Sequence, residues 1–313
     1  MKSVRLPRGG DVNRDKRISF SFDGKSLEGF EGDTLASALI ANGVAVVGRS
    51  FKYHRPRGLM AAGVEEPNAL VSIGAGARRE VNLRATEVEL TEGISARAVN
   101  CWPNARIDVG AVNNLIAQFI PAGFYYKTFM LPGWRFYEPF IRRAAGLGKP
   151  SDEPDPDIYD ATYAHTDILI VGTGPAGLAA ARAAAGAGVR VMLVEQDAFA
   201  GGSLRWQGGE IDGRPARDWA DEATRSLAAT GDIRFLARTT AVGYFDHNEL
   251  ALLERLQNRA ARMRLWRVRA RQVILAAGAI ERPLVFPGND RPGVMLASGI
   301  RRYLGQFAVR AGE

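Results

Sequence analysis

Cysteine is almost absent: Cys101 stands alone in 313 residues. One thiol cannot close an intramolecular disulfide, and the expectation is that the chain holds no cysteine-ligated cluster. Cys101 reads as a buried small side chain. Histidine is nearly as scarce. His54, His165 and His247 lie far apart without ligand spacing, so no histidine metal site is expected. No apolar run reaches 18 residues, which argues against a membrane span. The first ten residues lack the apolar segment of a secretory signal, so the cytoplasm is the expected compartment. The formal net charge is +7, yet the arginines are scattered and form no dense block or recognition motif. Nucleic acid is therefore not an expected partner. A basic surface facing acidic partner subunits or anionic cofactors is the better reading.

What is present is ordinary in bulk and specific in one place. A 46% hydrophobic, 24% charged chain of this length can bury two cores. The specific place runs from Asp167 to Ser203. It reads as an apolar strand, the turn Gly172-Thr173-Gly174-Pro175-Ala176-Gly177, an alanine-rich helix, and a second strand ending at Glu195. In a dinucleotide fold each part has a task. Gly172 turns the chain sharply out of the strand. Gly174 has no Cβ, so a pyrophosphate can approach the backbone. Gly177 lets the helix lie close on the sheet. The helix N-terminus offers free N–H groups to phosphate. Glu195, 23 residues after Gly172, can accept from ribose hydroxyls and would repel a 2′-phosphate. NAD or FAD is expected over NADP.

Elsewhere the pattern is local. Residues 1–16 read as a polar arm. Ile18 to Phe22 alternates with period two, Asp23-Gly24 is a hairpin signal, and Ser26 to Phe30 is the return strand. Asp33 or Thr34 can cap a helix from Leu35 to Ala41, stopped by Asn42-Gly43. Ala69 to Ile73 is a further strand. The aromatic segments Pro121 to Tyr126 and Trp134 to Phe140 fit either a connector packed across domains or a surface for a partner subunit. Ser151 to Asp157 is a linker by composition, and the dinucleotide domain is expected to start near Tyr163. Ile233 to Leu236 reads as a third parallel strand, Thr239 to Tyr244 and Met263 to Arg269 as an antiparallel excursion, and Asn248 to Ala260 as a short helix. Val273 to Gly278 reads as a buried strand that returns backbone to the cofactor. Asp212 near Arg214, and Glu281 beside Arg282, read as turn or surface ion pairs rather than an acid–base centre.

Two further runs carry a family resemblance. One is Gly32-Asp-Thr-Leu-Ala-Ser-Ala-Leu39 with Arg49-Ser-Phe-Lys-Tyr-His-Arg-Pro-Arg-Gly58. The other extends from Ala276 through Ile280-Glu-Arg-Pro-Leu-Val-Phe-Pro-Gly288 to Met295. With the glycine turn, they resemble the alpha subunit of heterotetrameric sarcosine oxidase along essentially the whole chain. The resemblance implies an α+β ferredoxin-like β-grasp domain, followed by an α/β Rossmann-type FAD/NAD(P)-binding domain. The latter is the first part of a two-dinucleotide-fold reductase architecture. The implied boundaries are an arm at 1–16, the β-grasp domain at 17–99, a connecting segment and linker at 100–162, and the dinucleotide domain, truncated, at 163–313.

The segment Leu59 to Leu70, which carries cysteines in cluster-binding relatives, has none, so no iron–sulfur cluster is expected. The implied cofactor is NAD, with FAD as the alternative at the same site. FMN and FAD are expected in the partner subunit or at an interface. By motif match the site comprises Gly172, Gly174, Ala176, Gly177, Glu195, Gln196, Gly202, Ser203, Ala241 and Gly278, with no catalytic residue assigned. The implied complex has beta-, gamma- and delta-type partners and oxidatively demethylates sarcosine to glycine with oxygen and folate, giving peroxide. The chain alone is expected to be inactive. The alternatives are a related dehydrogenase subunit acting on proline or hydroxyproline, and a non-catalytic assembly module. The family subunit is much longer than 313 residues.

Overall fold

Asp23 and Gly24 both adopt positive φ, 48° and 81°. They form the two-residue turn joining β1 (Asn13–Phe22) to β2 (Lys25–Glu31) as an antiparallel hairpin. This computed structural model describes residues 4–119, 123, 128–144, 146–257 and 259–312. Most of the aromatic run Pro121 to Tyr126 lies outside the described residues. The chain divides into two units, residues 1–155 with 281–313, and residues 156–280.

The first unit is built on a five-stranded sheet. Its strands are β1, β2, β3 (Leu70–Ile73), β4 (Glu80–Arg84) and β5 (Ser95–Ala98), in the order β2-β1-β5-β3-β4. Helix α1 (Leu35–Ala41) packs on it. Thr34 caps α1 reciprocally: its hydroxyl accepts from the Ser37 N–H, and the Ser37 hydroxyl accepts from the Thr34 N–H. Phe20, Phe22, Leu35, Leu39 and Val71 share a buried core with Tyr303 and Phe307. A second helix, α2 (Trp134–Ala144), follows the sheet in sequence.

Two boundary expectations change in this unit. Residues 1–16 are not a free arm. Val4 packs on the core, Arg5 pairs with buried Asp33 at 2.6 Å, and β1 already begins at Asn13. Residues 281–313 do not belong with the dinucleotide domain, because Tyr303 and Phe307 are completely enclosed by the first unit's core.

The second unit begins with β6 (Ile158–Val171), five residues ahead of the expected Tyr163. It continues with α3 (Pro175–Ala185), β7 (Val191–Val194), α4 (Ala216–Ala228), β8 (Ile233–Leu236), β9 (Thr239–Phe245), β10 (Glu249–Arg255) and β11 (Ala261–Leu275). The sheet order is β8-β7-β6-β11-β10-β9. The first four strands are parallel and the last two antiparallel. Leu178 and Ala181 of α3, with Trp219 and Leu227 of α4, cover one face over Ile170 and Leu193. Leu250, Leu252, Trp266 and Val268 close the other over Leu169, Met192 and Val194. The helix expected over Asn248 to Ala260 is strand β10, held on both edges by β9 and β11. The strand expected to be buried at 273–278 is largely exposed, because the buried residues of β11 are Trp266, Val268 and Ala270 in its middle. The final helix, α5 (Ala297–Phe307), is the one that supplies Tyr303 and Phe307 to the first unit.

Candidate functional site

The glycine turn lies where β6 hands over to α3. Gly172 adopts φ 101°, and a Cβ there would meet the Ala276 carbonyl at 2.4 Å. Its N–H donates to the Val194 carbonyl at 2.8 Å. A Cβ on Gly177 would lie 1.9 Å from the Gly172 carbonyl oxygen, so only glycine lets α3 approach the turn. Gly174 differs. Its φ of −65° suits any residue and its Cβ position faces open space. It is the N-cap of α3, with no side-chain cap and with proline at the first helical position. The N–H groups of Ala176 and Gly177 therefore have no intrahelical partner and are directed past the helix end, an anion-binding geometry.

A second glycine turn abuts the first. The Gly201 N–H donates to the Thr173 carbonyl at 2.9 Å. A Cβ on Gly202 would touch the Gly174 Cα at 3.1 Å. Ser203 follows at once in the short 3-10 turn Gly202–Arg205. Glu195 closes the arrangement. One of its carboxylate oxygens accepts from the Thr173 N–H at 3.0 Å and the Thr173 hydroxyl at 2.5 Å, and the other accepts from the Asp197 N–H at 3.0 Å. Burial raises the Glu195 pKa above the usual carboxylate value, helped by the charge of Asp197. The N–H groups of Asp197 and Thr173 pull it back.

The structure thus brings together Gly172, Gly174, Ala176, Gly177, Glu195, Gly202 and Ser203. Gln196 sits one residue on, its carbonyl accepting from Arg255 at 3.1 Å. Ala241 lies two residues past Thr239, whose N–H donates to the Glu195 carbonyl at 2.7 Å. Gly278 follows Ala276, whose N–H donates to Val171 at 2.8 Å. Sequence reasoning passed over Thr173. It is fully buried and ties the acidic tip to the turn. Its signal was a hydroxyl between two site glycines, where an apolar residue would leave Glu195 without that donor. The acids set aside as structural hold other groups. Asp212 accepts from the Trp219 indole at 3.2 Å, Arg214 pairs with Glu222, and Glu281 accepts from the Ala297 and Ser298 N–H groups at the start of α5.

The first unit carries a second convergence, in the loop that leads into β3. Glu66, only 1% exposed, accepts four backbone N–H groups: Met60 at 2.8 Å, Ala61 at 2.7 Å, Asn68 at 2.7 Å and Ala69 at 3.2 Å. Cys101 is half-buried, and burial together with Asp23 and Asp108 pushes its thiol up to about 12. At pH 8 about one thiol in 10,000 is then ionised. Ellman's reagent is expected to label the unfolded chain at least about 100-fold faster than the folded one. Equal rates would show that Cys101 is neither buried nor charge-suppressed.

Comparison with known proteins gives a class for each unit. Residues 15–101 match the model of a 2Fe-2S iron-sulfur cluster binding domain, and residues 167–258 that of an FAD dependent oxidoreductase. The chain thus combines a ferredoxin-type domain with a flavin-oxidoreductase dinucleotide domain. Over 323 aligned residues it is 52% identical to the sarcosine oxidase subunit alpha of Rhizobium meliloti, covering 100% of this chain and 33% of that one. It is 40% identical to the sarcosine oxidase subunit alpha of Corynebacterium sp. (strain U-96), covering 99% and 29%. The chain is a homologue of these subunits and spans about a third of their length. Among solved structures, L-proline dehydrogenase from P. horikoshii shares the fold, with a TM-score of 0.63 at 20% identity, covering all of this chain and 50% of that one.

The expectation of no iron–sulfur cluster is corrected by the first of these matches: the domain is of the 2Fe-2S binding kind. The donors available do not form a four-thiolate set. Cys101 is the only thiol in the sequence, and the described residues contain no group of three or more His, Cys, Asp or Glu able to hold a metal. The second match places FAD ahead of NAD, the reverse of the expected order. Among the described residues no helix is long and apolar enough to cross a membrane.

Proposed function

We propose that this chain is the nucleotide-binding portion of an alpha-type subunit in a hetero-oligomeric flavin oxidase acting on sarcosine. The observation that carries the reading is the joint geometry of the Gly172–Gly177 turn, the α3 N-terminus and Glu195, in a chain 52% identical to a sarcosine oxidase alpha subunit. The Ala176 and Gly177 N–H groups would receive the pyrophosphate. Gly174 and Gly202 leave room for it. Glu195, fixed by Thr173, would accept from the adenosine ribose, with Gln196 beside it, Ser203 near the phosphates and Ala241 near the adenine. Gly278 would bring a second stretch of backbone to the nucleotide. The site recognises the ADP half that FAD and NAD share, within the first part of a two-dinucleotide-fold architecture.

Bound flavin supplies hydride acceptance from the substrate's N-methyl carbon. In this reading that flavin is held with the beta-type subunit, gamma- and delta-type subunits complete the complex, folate takes the one-carbon unit, and the assembly works in the cytoplasm. The present residues bind nucleotide and organise partners, so the chain alone is expected to show no turnover. The fold shared with L-proline dehydrogenase favours a second reading, a subunit acting on proline or hydroxyproline.

The test is substrate-dependent oxygen uptake by the assembled full-length complex, with the released nucleotide identified by mass after denaturation. Sarcosine-dependent peroxide supports the first reading. Turnover of proline alone would replace it with the second. Turnover by the isolated chain would remove the assignment of chemistry to partners.

A further inference from the structure

Thr173 and Glu195 meet with both backbones already fixed. The Thr173 carbonyl accepts from the Gly201 N–H at 2.9 Å. The Glu195 N–H donates to the Leu236 carbonyl at 2.9 Å, and the Glu195 carbonyl accepts from the Thr239 N–H at 2.7 Å. What is left to turn is the carboxylate, because the last torsion of a glutamate is broad rather than staggered. Thr173 stops that rotation. It is fully buried, and its N–H and its hydroxyl both donate to one oxygen of Glu195, Oε2. With the Asp197 N–H on the other oxygen, Oε1, they set the plane of the group.

The same three donors limit what Glu195 can still accept. An ionised carboxylate has about four acceptor positions, two on each oxygen. Thr173 fills both on Oε2, and Asp197 fills one on Oε1. The bonds to Oε2 are buried, whereas the bond to Oε1 is only partly so. The open position is therefore on Oε1. All three donors are neutral, so this position is that of an ion whose charge they do not cancel, and a bond made to it is of the strong, charge-assisted kind. An adenosine ribose offers two hydroxyls, 2′ and 3′. A carboxylate open on both oxygens can take both; one held in this way has room for one.

We infer that Thr173 is a positioning residue that turns Oε1 of Glu195 toward the nucleotide, and that Glu195 accordingly reads a single ribose hydroxyl. This rests on the nucleotide-site reading given above. The test measures binding of ADP, 2′-deoxy-ADP and 3′-deoxy-ADP by calorimetry, with the full-length protein stripped of nucleotide. One deoxy analogue is expected to bind about 10-fold or more weakly than ADP, and the other about as tightly as ADP. Thr173→Val removes the hydroxyl and frees the carboxylate to rotate, so the two analogues are expected to converge in affinity. Thr173→Ser restores the hydroxyl and should restore the parent's discrimination. A residue that served the fold alone would shift the thermal transition and leave that discrimination unmoved. A parent that binds ADP but loses equally with both analogues, or with neither, overturns the inference and leaves the nucleotide site standing. So does a Thr173→Val protein that discriminates as the parent does. A parent that binds no ADP overturns both.

Discussion

Replacing Glu66 with alanine is expected to cost about 4 kcal/mol or more and lower the melting temperature of the first unit by about 10 °C. Four buried N–H groups, those of Met60, Ala61, Asn68 and Ala69, would lose their acceptor together. Each orphaned donor costs about 1–3 kcal/mol, and only partial relaxation of the loop keeps the total from being their sum. Glu66→Gln keeps the shape but points an amide NH2 at two of the four donors, so roughly half the loss is expected. Burial raises the Glu66 pKa above its ordinary 4.5, and the four N–H groups only partly oppose this. The sign follows from linkage. Between 4.5 and the folded value the unfolded chain releases the proton first, so the contribution is complete below pH 4.5 and declines as pH rises through the folded pKa. Urea midpoints from pH 4 to 7 should show the gap between parent and Glu66→Gln narrowing as pH rises. A gap that widens would mean the four N–H groups outweigh burial.

Gly174→Val is expected to weaken nucleotide binding about 100-fold while leaving the fold intact. The position tolerates a side chain in both backbone angle and space, so only the pyrophosphate's room is taken. Gly177→Ala should behave in the opposite way. Its Cβ would sit 1.9 Å from the Gly172 carbonyl, forcing α3 off the strand at a cost of about 3 kcal/mol, and binding falls with stability. Thermal scans with and without FAD or NAD separate the two. At 100 times its dissociation constant, nucleotide should stabilise the parent by about 2.7 kcal/mol and the Gly174→Val protein hardly at all. A Gly174→Val protein that binds as tightly as the parent would remove the site from this turn.

Much of this architecture could be read from short-range chemistry. The Asp23-Gly24 turn, the Thr34 cap and the alternation of Ile18 to Phe22 are local signals that tertiary structure leaves alone. The glycine turn was legible from its spacing, although only Gly177 is demanded by a contact within its own strand–helix unit; Gly172 is demanded by Ala276 and Gly174 faces open space. What escaped was decided at a distance. Glu249 to Arg255 is rich in strong helix formers, yet Leu250 and Leu252 alternate into the core between two neighbouring strands, and pairing overrides propensity. The role of Thr173 depends on a carboxylate 22 residues away. The membership of α5 depends on Phe20, Leu35, Leu39, Val71 and other core residues that precede it by 200 residues or more.

The place of α5 in the first core sets an order of events during synthesis. Residues 156–280 form a unit inserted within a host unit whose core needs Tyr303 and Phe307. Domains usually close in the order in which the ribosome delivers them. Here the order is inverted: strands β6 to β11 of the inserted unit are made while the earlier-made sheet still exposes the bed for α5. Until residue 307 emerges, Leu35, Leu39 and Val71 lack the rings that cover them, so the nascent host stays open and aggregation-prone while the six strands of the inserted sheet are being made.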